Sequence, residues 1–195
     1  MTKKIIILFA LFYSYAVIRY QFGKNLWELS DYFYTLNKAI AWLAGTLVCL
    51  TLLSQRQLDS FMLSRKGIGL TGYFLALIHI TSSFILLSPC YFPTFYNNHE
   101  LSLFGWISIS FGILTGFFFT LAFLGSINLI HPSNIKFGKL GILCNFLHVF
   151  NIGFLKWFPM QEWTFYMPPI TLLFVIEVLV VLFVRRAIQK PFPLN

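Results

Sequence analysis

Six apolar runs, each close to the length of a bilayer crossing, leave this chain few folds to choose from. A hydrocarbon core of roughly 30 Å takes about 20 helical residues, and backbone polar groups at that depth must be satisfied within a helix or a closed barrel. The runs cover approximately 4–19, 38–54, 67–88, 102–124, 139–156 and 167–184. They predict an all-α, integral membrane six-helix bundle. With 58% of residues hydrophobic and 10% charged, against about half and a quarter in soluble domains, the short connections leave no room for a second domain. Residues 1–195 are therefore read as a single transmembrane domain with the lipid bilayer as its environment. The net charge of +8 falls between and beside the apolar runs, so it marks topology and not a nucleic-acid surface.

Orientation follows from the basic residues. A cytoplasmic N-terminus puts ten Lys and Arg inside, among them Arg56, Arg65, Lys66 and Arg185, and leaves four outside: Arg19, Lys24, Lys38 and Lys156. Both termini are then cytoplasmic, and the membrane is the cell's inner (cytoplasmic) one. On this reading the five Trp residues, Trp27, Trp42, Trp106, Trp157 and Trp163, fall at or near the outer face as interfacial anchors. The start of the chain, two lysines followed by an apolar run, has bulky Ile18-Arg19-Tyr20 where a small-residue cleavage site would be needed, and is expected to stay as the first span. Cys49 and Cys144 lie within spans and Cys90 in an outer loop, so no intrachain disulfide is expected.

Two histidines, His79 and His148, lie within the third and fifth runs, which cross in the same direction. Ionisable groups at membrane depth are costly and mark candidate functional sites, and neutral imidazole is a common metal ligand. His79 is 13 residues beyond Lys66 and His148 is 9 beyond Lys139. At about 1.5 Å per residue both lie roughly 14–20 Å from the inner boundary. Two imidazoles at one level on parallel helices suit bis-axial ligation of a haem. Gly72 and Ala76 share the helical stripe of His79, a pattern that admits either a neighbouring helix or a flat macrocycle. Asn145 and Asn151 flank His148 at three residues, as second partners for its imidazole or as interhelical hydrogen-bond glue. His99 and His131 are read as solvated loop residues, the latter before the helix-ending Pro132. Glu177, in the sixth run, could relay protons, contact a quinone or bond to a neighbouring helix.

The segment RKGIGLTGYFLALIH, with its basic pair Arg65-Lys66, Gly67–Leu70 turn and His79, resembles the ferric reductase-like transmembrane domain family. The likeness runs from about Lys38 to Arg186 and includes CNFLHVFNIGFLKW around His148. Within that family the order and lengths of segments are most similar to the haem-binding membrane subunits of bacterial protein-methionine-sulfoxide reductase systems. The resemblance implies haem b held by His79 and His148 as metal ligands, and the residues placed beside them by helical spacing, Gly72, Ala76 and Asn145, are the further cofactor contacts expected. Family members that stack two haems carry a second histidine 13 or 14 residues after each first one. The corresponding places here hold Pro93 and Gln161, so one haem is expected.

The expected function is that of an oxidoreductase component, moving electrons from a quinol or flavin reductase donor, with quinone or FMN as a possible further cofactor. The acceptor is an extracytoplasmic redox partner protein or ferric iron. With nearly all of the 195 residues used in spans there is no GxGxxG dinucleotide-binding fold to supply an NAD(P)H or FAD domain, and no CxxCH segment supports covalently attached haem. The alternative is a haem-free membrane scaffold or transporter subunit in which the histidines and asparagines only join helices.

Overall fold

The computed structural model describes residues 2–22, 28–59, 63–130, 136–158 and 160–189. Lys24, Trp27, His131, Pro132 and Lys190, which entered the sequence reading, lie outside the described residues. The chain is an all-α membrane bundle whose six long helices are each long and apolar enough to span a bilayer. They are α1 (Thr2–Ala16, continued by a π-helical turn at Val17–Gln21), α2 (Leu29–Leu50), α4 (Arg65–Ile85), α5 (Leu103–Ser126), α6 (Lys136–Gly153) and α7 (Ile170–Gln189). A short α3 (Gln55–Asp59) lies in the basic connection. Strands β1 (Tyr96–Asn97) and β2 (Glu100–Leu101) pair antiparallel before α5. Their turn puts Asn98 and His99 at φ of 49° and 70°, as two-residue hairpins require. His99 is exposed there.

Local chemistry explains where the helices begin. Ser64 and Ser102 cap α4 and α5, accepting from the amides of Gly67 (3.3 Å) and Gly105 (3.1 Å). The largest departure from the predicted spans is α2, which starts nine residues before 38. The Asp31 carboxylate accepts the Glu28 amide at 3.0 Å, and the polar first turns of this helix hide its start from hydropathy. Lys38, expected on the outer side at the first residue of the second run, is instead nine residues inside α2.

Five helices close a ring: α2 packs on α4, α4 on α5, α5 on α6, α6 on α7, and α7 back on α2. Helix α1 lies outside it against α2. Tyr15 donates to the Pro168 carbonyl at 2.6 Å, which ties α1 to the start of α7. Large side chains point outward, among them Phe117 (55% exposed) and Phe183 (73%), as lipid contact demands. Polar groups point inward and are satisfied locally: the Ser108, Thr115 and Thr120 hydroxyls donate to carbonyls one turn back at 2.8–2.9 Å.

Two of the tryptophans are buried within the protein. Trp42 is buried, stacked on Phe12 with ring centroids 3.8 Å apart, and donates to Glu177 at 3.0 Å. Trp157 is buried and donates to Thr171 at 3.0 Å. An indole N–H in a dry bundle needs an acceptor, and each of these has one on α7. Trp106 is exposed, as an interfacial ring would be.

Candidate functional site

The ring of helices surrounds a cavity of about 200 Å3, against the ~10–15 Å3 that admits one water. Its wall is mostly apolar and is thinned by small residues, including Ala41, Gly45, Ala76 and Gly112. His79 enters it from α4 and His148 from α6, so the structure brings together the two imidazoles singled out in the sequence. Ala76 and Asn145 also line it. Gly72 does not: it is buried against α2, where a Cβ would meet Val48 Cγ2 at 2.8 Å and Leu47 Cβ at 3.2 Å.

Each ring is held by one nitrogen. His79 Nδ1 donates to Asn37 Oδ1 at 2.7 Å, and Asn37 Nδ2 donates in turn to Ser83 Oγ at 2.9 Å, which fixes the carboxamide with its oxygen toward the ring. His148 Nδ1 donates to the backbone carbonyl of Ser108 at 2.7 Å. A carbonyl only accepts, so the proton is on Nδ1 and the lone pair is on Nε2. That tautomer is the one a metal-binding imidazole adopts when an oxygen behind it sets its orientation.

Of the two roles open to the asparagines flanking His148, Asn151 takes the interhelical one: it donates to the Ser108 hydroxyl on α5 at 2.5 Å, while the imidazole itself goes to the Ser108 carbonyl. Gly112 makes this possible. A Cβ there would lie 3.1 Å from His148 Cε1, so any larger residue would press the ring away by a few tenths of an ångström from its place against the α5 backbone. Asn37, Ser108 and Gly112 were all missed, because each acts from another helix and no spacing along the chain connects it to a histidine. The one available signal was Asn37-Lys38, two strongly polar residues entering an apolar run.

The pair of imidazoles limits the metal chemistry. A bare ion such as zinc takes three or four protein ligands, and no group of three or more His, Cys, Asp and Glu side chains forms among the described residues. Two imidazole nitrogens would suffice where a macrocycle supplies the remaining ligands. The apolar wall and small-residue faces are those that a flat porphyrin would need, and His79 and His148 are the residues that would hold its iron.

Toward the hairpin end of the bundle the cavity wall includes Tyr20, Tyr34, Lys38 and Phe92. The Lys38 ammonium lies 4.7 Å from the Tyr34 ring centroid, 5.5 Å from Tyr20 and 5.9 Å from Phe92. Each such contact is worth ~0.5–2 kcal/mol, whereas desolvating an ammonium costs about several kcal/mol, so the rings offset only part of that cost. Glu177 is not among the residues that line the cavity. Its two carboxyl oxygens accept from Trp42 (3.0 Å) and Thr46 (2.6 Å), which joins α7 to α2.

A second cleft of about 540 Å3 opens at the opposite, basic end, where Arg65, Lys66, Gly69 and Tyr73 line it. The buried ring of Phe119 is in the wall of both cavities. No protein-family model matches the chain, and no curated protein matches it either.

Proposed function

We propose that the protein is a b-type haem electron-transfer subunit of the cytoplasmic membrane. The observation that carries this reading is the pair His79 and His148 in the wall of one apolar cavity inside the bundle, each with Nδ1 committed to an oxygen and Nε2 left for a metal. Bound haem supplies a one-electron ferric–ferrous couple. His79 and His148 hold the iron, Asn37 and Ser108 fix the planes of the two rings, and the surrounding wall of Phe and Ile side chains keeps out water, which favours the less charged reduced state. The basic-end cleft, sharing Phe119 with the haem cavity, suits entry of electrons from a quinol or a flavin reductase. The aromatic hairpin end suits delivery to an extracytoplasmic reductase partner or to ferric iron.

Purified protein supplied with haem is expected to show a low-spin b-type spectrum that sharpens on dithionite reduction, with one haem per chain by pyridine haemochrome. A folded protein that stays colourless refutes the haem reading and leaves the haem-free scaffold. Two haems per chain would refute the single-site reading.

The orienting bond gives a finer expectation. Asn37→Leu leaves His79 Nδ1 with only Ser83 Oγ, at 3.3 Å, and haem transfer to apomyoglobin is expected to accelerate by about 10–100-fold, the usual cost of losing such a partner. Asn37→Asp keeps an acceptor at the same place and retains haem. Unchanged release from Asn37→Leu would show that the ring needs no support from α2.

A further inference from the structure

Lys38 has no role in ligating iron, yet it lines the same cavity one residue along α2 from the asparagine that orients His79. Helical side chains lean toward the N-terminus of their helix, and the N-terminal end of α2 lies at the hairpin end, so the Lys38 chain reaches that way. Its ammonium meets Tyr34 one turn earlier, Tyr20 at the end of the first span and Phe92 in the connection before the hairpin. Among the described residues no carboxylate pairs with it. The guanidinium of Arg19 lies over the same Tyr20 ring, 5.5 Å from its centroid; it is buried, and its Nε and Nη1 have no hydrogen-bond partner. The acid closest in sequence to this end of α2, Asp31, is occupied with the Glu28 amide. Two cations therefore stand at the hairpin end of an apolar cavity with no anion supplied by the described chain. Aromatic faces attract a cation but leave its hydrogen-bonding protons unused.

We infer that Lys38 is a carboxylate-binding residue, whose ammonium hydrogen-bonds an acidic group on the cavity's occupant and so fixes which edge of that occupant faces the hairpin end. Resting on the haem reading above, the acidic group is a haem propionate. The aromatic cage sets the position of the ammonium, and the unpaired charge provides the selectivity. A neutral porphyrin of equal size fills the same apolar volume but leaves Lys38 unpaired.

The test compares two probes on the full-length protein in detergent: iron protoporphyrin IX and its dimethyl ester, in which both carboxylates are masked. Binding is read from the Soret band. Wild-type protein is expected to bind the ester about tenfold or more weakly, the scale of one charge-assisted hydrogen bond. Lys38→Met and Lys38→Gln bind the two probes within about twofold of each other, and Lys38→Arg restores most of the preference. Equal binding of acid and ester by the wild type overturns the role of Lys38 while leaving the axial pair in place. A full preference surviving in Lys38→Met or Lys38→Gln overturns it too, and points to Arg19. Failure of the wild type to bind either probe overturns the haem reading itself. The wild-type comparison stands without any variant, so a substitution that fails to fold does not remove the test.

Discussion

His79→Ala and His148→Ala proteins are each expected to fold and to lose the b-type spectrum entirely. Ligation by two imidazoles depends on both, and the two come from different helices, α4 and α6, so the remaining one cannot supply the missing bond. The cost to the fold is bounded. His148→Ala removes the ring from the Ser108 carbonyl, and leaving one buried acceptor with a weakened partner costs ~1–3 kcal/mol. His79→Ala leaves Asn37 still bonded to Ser83. Far-ultraviolet circular dichroism and gel filtration check folding, and absorption before and after dithionite checks haem. His99→Asn, in the exposed hairpin turn at a positive φ that Asn tolerates, is the matched control and keeps the spectrum. Either cavity variant retaining wild-type absorbance would remove that histidine from the ligand set.

Two glycines of α6 are expected to respond to alanine with opposite signs. A Cβ on Gly153 would lie 2.3 Å from Thr171 Oγ1 and 2.5 Å from Trp157 Nε1. Those two atoms are hydrogen-bonded to each other at 3.0 Å, and that bond joins the end of α6 to α7. Gly153→Ala must push them apart, combining ~1–3 kcal/mol of overpacking with ~1–3 kcal/mol for a stranded buried indole N–H. A large drop in unfolding temperature should follow. Gly138, in the first turn of α6, has only Ala122 Cβ near a built Cβ, at 3.9 Å. Gly138→Ala therefore meets ordinary contact and gains up to about 1 kcal/mol of helix propensity. Thermal unfolding in one detergent separates the two. Equal shifts would mean that the contact between α6 and α7 at Trp157 does not hold in solution.

The spans and the histidine pair were legible because both are written in local chemistry. A crossing must be a continuous apolar run, and an imidazole inside one stands out as an expense. Helix α2 shows where that reasoning stops. Its first nine residues, LSDYFYTLN, are too polar for a hydropathy window, yet they are helical and bring Asn37, with Lys38 next to it, into the bundle. Trp42 and Trp157 were read as interfacial from their distance to span ends, and the structure buries both because α7 provides acceptors for their indoles. Neither acceptor is near its donor in sequence.

The sequence by itself determined that this is a six-span membrane bundle and which two ionisable rings are set within its third and fifth spans, because the bilayer imposes length, apolarity and matched depth on every crossing. Only the tertiary structure decided which atoms orient those rings, that Gly72 serves helix packing while Gly112 makes room for an imidazole, and that Lys38 belongs to the cavity. The physical reason is that the ring of α2, α4, α5, α6 and α7 is closed by contacts between helices far apart in the chain. Hydrogen bonds across such contacts follow from how the helices are rotated against one another, which no periodicity within a single span encodes.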